Sequence, residues 1–250
     1  MTLFDTITFK HPVLRVNNRD QNINFYRQTL GLKLVSEENA LAIFSAWENR
    51  EASFIIEESP SMRTRAVDGI KKLNKIILKI NNPQEINYLL GNGADARRVF
   101  KGKNGYAFEA VSPEGDVFLL HAENNLADLV EIQIAPFPKV SDFNGLSDFT
   151  YETIILNTLD KKESQAFYSL VFPEFFPVDL QFVEMNGSDL AVEPNLTWDI
   201  EILEYHVSEE FSLTQLKDYL ESNGQIVYLD SKETVLVLSD PSKIEIWFIK

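Results

Sequence analysis

The chain of 250 residues contains no cysteine. That single absence excludes disulfides, thiolate-held metals and a cysteine nucleophile. Histidine is nearly as scarce, with His11, His121 and His206 making up the whole set. None of the three sits in a catalytic-triad context, and Gly-x-Ser-x-Gly and His-Glu-x-x-His are both missing. The nearest approach to an aspartic-peptidase Asp-Thr/Ser-Gly, Asp68-Gly69, lacks the hydroxyl residue. No apolar run approaches the ~18 residues of a membrane span. Residues 1–10 lack the basic stretch and apolar core of a secretory signal, which points to the cytoplasm. Positive charge is short in the second half: residues 1–125 hold 16 Lys+Arg against 15 Asp+Glu, and residues 126–250 hold 7 against 23. Nucleic acid is therefore excluded as a partner, because phosphate binding needs clustered cations. The acidic half reads either as a solvated surface or as a face for a basic partner.

What the sequence does contain is a repeat. Residues 11–16 alternate as a strand, with His11, Val13 and Arg15 on one face and Leu14 and Val16 on the other. Asn17 to Asp20 offer helix caps, Ile23, Tyr26 and Leu30 form an apolar stripe, and Gly31 stops the helix. Strand-like runs follow at 32–36, 41–47 and 52–57. After a basic connector (59–72) the pattern restarts: a strand at 74–80, the helix start Asn82-Pro83-Gln84-Glu85, and strands at 95–101, 106–111 and 117–121. Residues 122–147, with Pro136 and Pro138, depart from the repeat, although 129–134 could pair as an extra strand. A third unit begins at Tyr151, with a capping box at Asp160–Glu163 and strands expected at 178–185 and 189–193. A fourth runs from Trp198, with a helix capped by Ser212 and strands at 225–229, 234–238 and 243–248. Four β-α-β-β-β units of about 60 residues make a repeat architecture. One unit cannot cover both faces of its curved sheet, so the units should pair. The expected organisation is an N-terminal domain at 1–122, a linker at 123–147 and an acidic C-terminal domain at 148–250, each of two units.

The strand His11-x-x-x-x-Val16, the segment Phe25-Tyr26-x-x-x-Leu30-Gly31-Leu32, the turn Pro113-Glu114-Gly115-Asp116, the pair Phe167-Tyr168 and Asp240-Pro241 before Ile244-Glu245-Ile246 carry a resemblance. Together they resemble the vicinal oxygen chelate superfamily of glyoxalase, bleomycin-resistance and extradiol-dioxygenase proteins. Across its full length the chain also resembles the streptococcal CppA family. The fold this implies is α+β: four βαβββ units paired into two glyoxalase-like domains. The activity implied by the CppA label is degradation of complement C3, which makes C3 the expected protein partner and requires surface exposure, against the cytoplasmic reading.

The superfamily holds a divalent metal with a His or Gln on each first strand and a Glu on each last strand. By that resemblance the metal candidates here are His11, Glu57, His121 and Glu245. The pattern is broken elsewhere. Lys75 stands at the second unit's first-strand position, Leu119 at its glutamate position and Tyr151 where His11 would recur. With two of four N-terminal ligands lost, no cofactor is expected, and a divalent ion stays open. The inner strand face offers His11, Arg15, Lys79 and His121 as pocket residues. Arg15 and Lys79 suit a small anionic molecule, or else are salt-bridged across the sheet. The connection Phe172-Pro173-Glu174-Phe175-Phe176-Pro177 either folds onto the core or forms an apolar patch for a homo-oligomer or a protein partner. Three functions follow as expectations: C3 proteinase by resemblance, metal-independent binding protein or diverged glyoxalase-type enzyme by chemistry, and protein-interaction module by surface.

Overall fold

Each capped, periodic stretch forms an element in the computed structural model, which describes residues 6–49, 51, 53–59, 64–133 and 136–250. The first unit comprises β1 (Thr8–Val16), α1 (Arg19–Gln28), β2 (Lys33–Glu38), β3 (Leu41–Ser45) and β4 (Phe54–Glu58). Ala52, expected to open the last of these strands, lies outside the described residues. The second unit comprises β5 (Leu73–Ile80), α2 (Pro83–Gly91), β6 (Ala96–Lys101), β7 (Tyr106–Val111) and β8 (Val117–His121), followed by a 3-10 turn (Leu126–Asp128) and β9 (Val130–Ile132). The third is β10 (Phe149–Thr158), α3 (Lys161–Val171) and β11 (Asp179–Glu184). The fourth is β12 (Ile200–His206), α4 (Leu213–Ser222), β13 (Tyr228–Leu229), β14 (Val235–Ser239) and β15 (Glu245–Ile249). Asn18, Asn82, Asp160 and Ser212 cap the four helices, each side chain accepting from a backbone N–H two or three residues on. No described helix is long and apolar enough to cross a membrane.

The third unit departs from expectation. Residues 189–193 form turns, not a strand, because they are used as an anchor. Leu190 is fully buried, and the Asp189 carboxylate binds the Arg65 guanidinium at 2.6 and 2.7 Å and accepts from the Asp68 N–H at 2.7 Å. The unit is therefore β-α-β, two strands short of the others.

Pairing also departs from sequence order. The first sheet runs β13-β14-β15-β12-β1-β4-β3-β2, joining unit four to unit one, and the second runs β11-β10-β5-β8-β7-β6-β9, joining unit three to unit two. The expectation that units one and two share a sheet within 1–122, and units three and four within 148–250, is thus corrected. The central ladders are β1 with β12 and β5 with β10, both antiparallel.

Consecutive units meet through helices and turns instead. Glu114, in the second unit's turn, accepts from the Asn17 N–H at 2.9 Å and from Asn22 Nδ2 at 3.1 Å at the start of α1. Tyr168 of α3 donates to Asp240 in the fourth unit's turn at 3.1 Å. The two sheets stand back to back. Tyr26 of α1 packs on Phe44 and Phe54 of the first sheet and on Phe118 of the second. Phe172 packs on Tyr205 and Phe248. Leu14, Val16, Phe44, Ile56, Leu203, Ile246 and Phe248 on one back face join Ile76, Phe108, Phe118, Leu120 and Ile154 on the other in one apolar core. Burial of side chains this size is worth ~1.5–3 kcal/mol each.

Residues 136–147 are a strap rather than a loose linker. Leu146 N–H donates to the Gly31 carbonyl at 2.9 Å, Ser147 N–H to Glu85 at 3.0 Å, and Asn92 and Val140 exchange hydrogen bonds at 2.9 and 3.0 Å. A Cβ on Gly145 would stand 2.1 Å from the Gly31 oxygen, so only glycine admits this approach.

Candidate functional site

With both back faces consumed by the core, chemistry is left to the two front faces. On the first sheet the register sets His11 opposite Glu204, Val13 opposite Ile202 and Arg15 beside Glu57. Glu204 lies beside Trp247, and Ile202 beside Glu245. Paired residues share a face, so His11, Val13, Arg15, Ile55, Glu57, Ile202, Glu204, Glu245 and Trp247 form one surface. The row continues outward through Val237, opposite Trp247, to Tyr228.

A bulge decides what happens to Arg15. Val13 pairs with Ile202 and Leu14 with Ile200, which leaves Glu201 as an extra residue on β12. Its carboxylate reaches Arg15 Nε at 2.7 Å, Glu57 reaches Nη2 at 3.2 Å, and Asn195 Oδ1 accepts from the same nitrogen. Arg15 is 2% exposed, so this guanidinium is held by protein carboxylates and presents no free cation to a ligand. His11 is 1% exposed, with Nε2 3.5 Å from Glu204 Oε1. Burial, assisted by Lys10, lowers its pKa to about 4, so it is a neutral imidazole at neutral pH. Burial also pushes the Glu204 carboxyl upward, against the pull of Lys10. Glu245 accepts from the Trp247 indole at 2.8 Å. The surface therefore carries four carboxylates around a single buried guanidinium, with an apolar floor of Val13, Ile55 and Ile202.

The second sheet uses the same device differently. Glu152 is the bulge residue on β10, and its carboxylate lies 2.9 Å from His121 Nε2 and 3.8 Å from Lys79 Nζ. The Glu123 N–H donates to His121 Nδ1 at 3.1 Å, which places the imidazole proton on Nε2, toward Glu152. Burial lowers the His121 pKa, and the Glu152 charge opposes that shift. Lys75 pairs with Glu109 at 2.7 Å. The rest of this front face is filled: Ile77, Ala107 and Leu119 are buried beneath Leu126, Leu129 and Phe100. The extra strand expected around 129–134 forms as β9, against β6 (Ile134 lies outside the described residues).

The four pocket candidates therefore fall into two pairs, His11 with Arg15 and Lys79 with His121, on sheets that face away from each other. The same separation divides the metal candidates. His11, Glu57 and Glu245 share the first sheet and His121 belongs to the second, so the four do not form one site. Among the described residues no group of three or more His, Asp or Glu side chains is placed to hold a metal ion. His11 stands against Glu204, Glu57 is engaged by Arg15, and Glu245 by Trp247, so the donors are spent on protein partners. Glu201, Glu204 and Glu152 escaped the sequence analysis as site residues. The bulges that aim two of them leave no mark on the period-two pattern.

A sequence model of the CppA N-terminal region matches residues 9–132, and one of the CppA C-terminal region matches residues 146–248. The crystal structure of the cppA protein from Streptococcus pneumoniae TIGR4 is similar at 34% identity over 98% of both chains, with a TM-score of 0.80. Glyoxalase I from Zea mays, as a V278E mutant, is similar at 13% identity over 98% of this chain and 92% of its own, with a TM-score of 0.61. A candidate dioxygenase from Bacillus subtilis matches at 11% identity over 98% of this chain and 85% of its own, with a TM-score of 0.60. No match was found among curated protein sequences. At 13% and 11% identity these last two show the fold alone: an α+β architecture of paired glyoxalase-like units.

Proposed function

The chain belongs to the CppA family, and from that footing we propose that it is a binding protein whose site is the front face of the first sheet. The observation that carries this reading is the charge balance of an open, half-apolar surface. Glu57, Glu201, Glu204 and Glu245 surround one buried, already paired guanidinium. Such a face repels the small anion that the cationic residues alone suggested. It favours an amine or guanidinium carried on an apolar body, whose charge meets the carboxylates while its stem lies along Trp247 and Ile202. Isothermal titration with trilysine and triglutamate tests the reading. Trilysine binds, and the affinity falls in the Glu204→Gln and Glu245→Gln variants. Equal binding of both peptides contradicts it.

Degradation of complement C3 is the second reading, and the family alone supports it. His11 and His121 face carboxylates and a backbone N–H rather than a hydroxyl, so neither is disposed to activate a serine or threonine. On the binding reading, purified protein incubated with C3 leaves it intact. Cleavage that co-purifies with the chain and is lost in a front-face variant would restore the proteinase.

A further inference from the structure

In three of the four units the last strand is covered on its outer side by an antiparallel neighbour: β4 by β3, β8 by β7 and β15 by β14. The third unit has no such neighbour. Its last strand, β11, pairs in parallel with β10 along all six residues, and the sheet ends there. The residues that would supply the two missing strands, after Met185, turn away instead and are anchored through Leu190 and the Arg65–Asp189 pair.

Edge strands in stable proteins are shortened, bulged, covered or studded with lysine. The other edge of the same sheet, β9, has three residues, and β13 on the first sheet has two. β11 has six residues, Asp-Leu-Gln-Phe-Val-Glu, with no bulge against β10 and no lysine. Phe182 is buried beneath it against Tyr168, while Val183 is 38% exposed at the rim. Acidic side chains mark both ends. Asp179 accepts from Thr153 Oγ1 at 3.0 Å, and Glu184 from the Lys161 N–H at 3.3 Å. No cation is paired with either carboxylate among the described residues.

We propose that the outer edge of β11 is a docking edge for an extended segment of a partner protein, flanked by lysine or arginine. The segment adds as the antiparallel strand that the third unit lacks. Main-chain hydrogen bonds along the ladder supply affinity, and Asp179 and Glu184 select for cationic flanks. A second copy of this chain fits less well, since each copy carries a net charge of −15 and the in-register antiparallel pairing sets Asp179 against Glu184.

Hydrogen–deuterium exchange of the full chain tests the proposal, with the peptide Lys-Val-Thr-Val-Thr-Val-Lys as probe and its glutamate-flanked counterpart as control. At about 90% occupancy, the amides of residues 179–184 that the added strand covers slow about tenfold. The glutamate-flanked peptide gives no protection there. Val183→Lys, a rim substitution that places a like charge beside the peptide, abolishes the protection, whereas Val35→Lys on β2 does not. Protection of β1 and β12 in place of β11, equal protection by both peptides, or protection that survives Val183→Lys overturns the proposal. So does concentration-dependent protection of 179–184 without peptide, which assigns the edge to a second copy. Because the front face of the first sheet and β11 are read out at different amides, either proposal can fail alone.

Discussion

The Tyr168 hydroxyl donates to Asp240 Oδ2 across 3.1 Å, from the helix of the third unit to the turn of the fourth. Tyr26 occupies the corresponding place in α1, fully buried in the field of Asp116 and Glu114 from the second unit's turn. The recurring Phe-Tyr pair and the recurring acidic turn, met separately along the chain, are the two halves of one joint. Units one and two are joined this way, as are units three and four, while the sheets join one to four and two to three. Removing the hydroxyl in Tyr168→Phe leaves a buried acceptor unmatched and costs about 1–3 kcal/mol, read from urea denaturation.

Asp240 gives that joint a pH dependence. Burial raises its carboxyl to about 6 against the hydrogen bonds from the Ile244 N–H and Tyr168. The unfolded carboxyl titrates near 3.9. Between these values the folded state holds a proton that the unfolded state has lost, so this group's contribution to stability falls as pH rises from about 4 to 6. Asp240→Asn removes the effect. The stability of wild type relative to the variant declines by on the order of 2 kcal/mol across that window and is flat above it. A difference that grows with pH contradicts the assignment.

His11 has the opposite sign. Its folded pKa of about 4 lies below the unfolded value near 6.5, so the stability it contributes is present above pH 6.5 and is lost as pH falls toward 4. Its imidazole nitrogen shifts, followed by NMR, stay constant between pH 5.5 and 8. A titration midpoint near 6.5 would mean an exposed or differently paired ring.

Arg15 is a structural cation. Arg15→Met leaves Glu201 and Glu57 facing each other with no counter-charge and destabilises by about 3–5 kcal/mol in chemical denaturation. Adding Glu201→Gln recovers part of the loss, because one of the two stranded carboxylates is then neutral. A single variant within 0.5 kcal/mol of wild type is incompatible with the observed pairing.

The elements were legible in the sequence because each rests on a local signal. Asn82-Pro83 and Asp160 cap helices, Gly31 takes a left-handed φ of 70° behind α1, and apolar alternation marks the strands. The partner of each first strand was not legible. β1 and β5 are equally apolar on their back faces, and the pairing with β12 or β10 depends on contacts hundreds of residues apart. The missing strands of the third unit were hidden for a similar reason: Leu190 and Val192 alternate like a strand, yet Asp189 commits the segment to Arg65. At the site, His11 and Arg15 stood out as residue types on a strand face. The carboxylates that neutralise or outnumber them come from β4, β12 and β15, and two bulges turn Glu201 and Glu152 inward. A face that looked cationic from one strand is acidic once four strands are assembled.

The indole N–H resonance of Trp247 tests the central claim most directly, with Trp47 and Trp198 as references in the same spectrum. Trp247 donates to Glu245 on the proposed surface. Titration with trilysine shifts the Trp247 signal alone, and the shift is lost in Glu204→Gln. A Trp247 signal unmoved by trilysine, or moved equally by triglutamate, contradicts a cation-selective site on the front face of the first sheet.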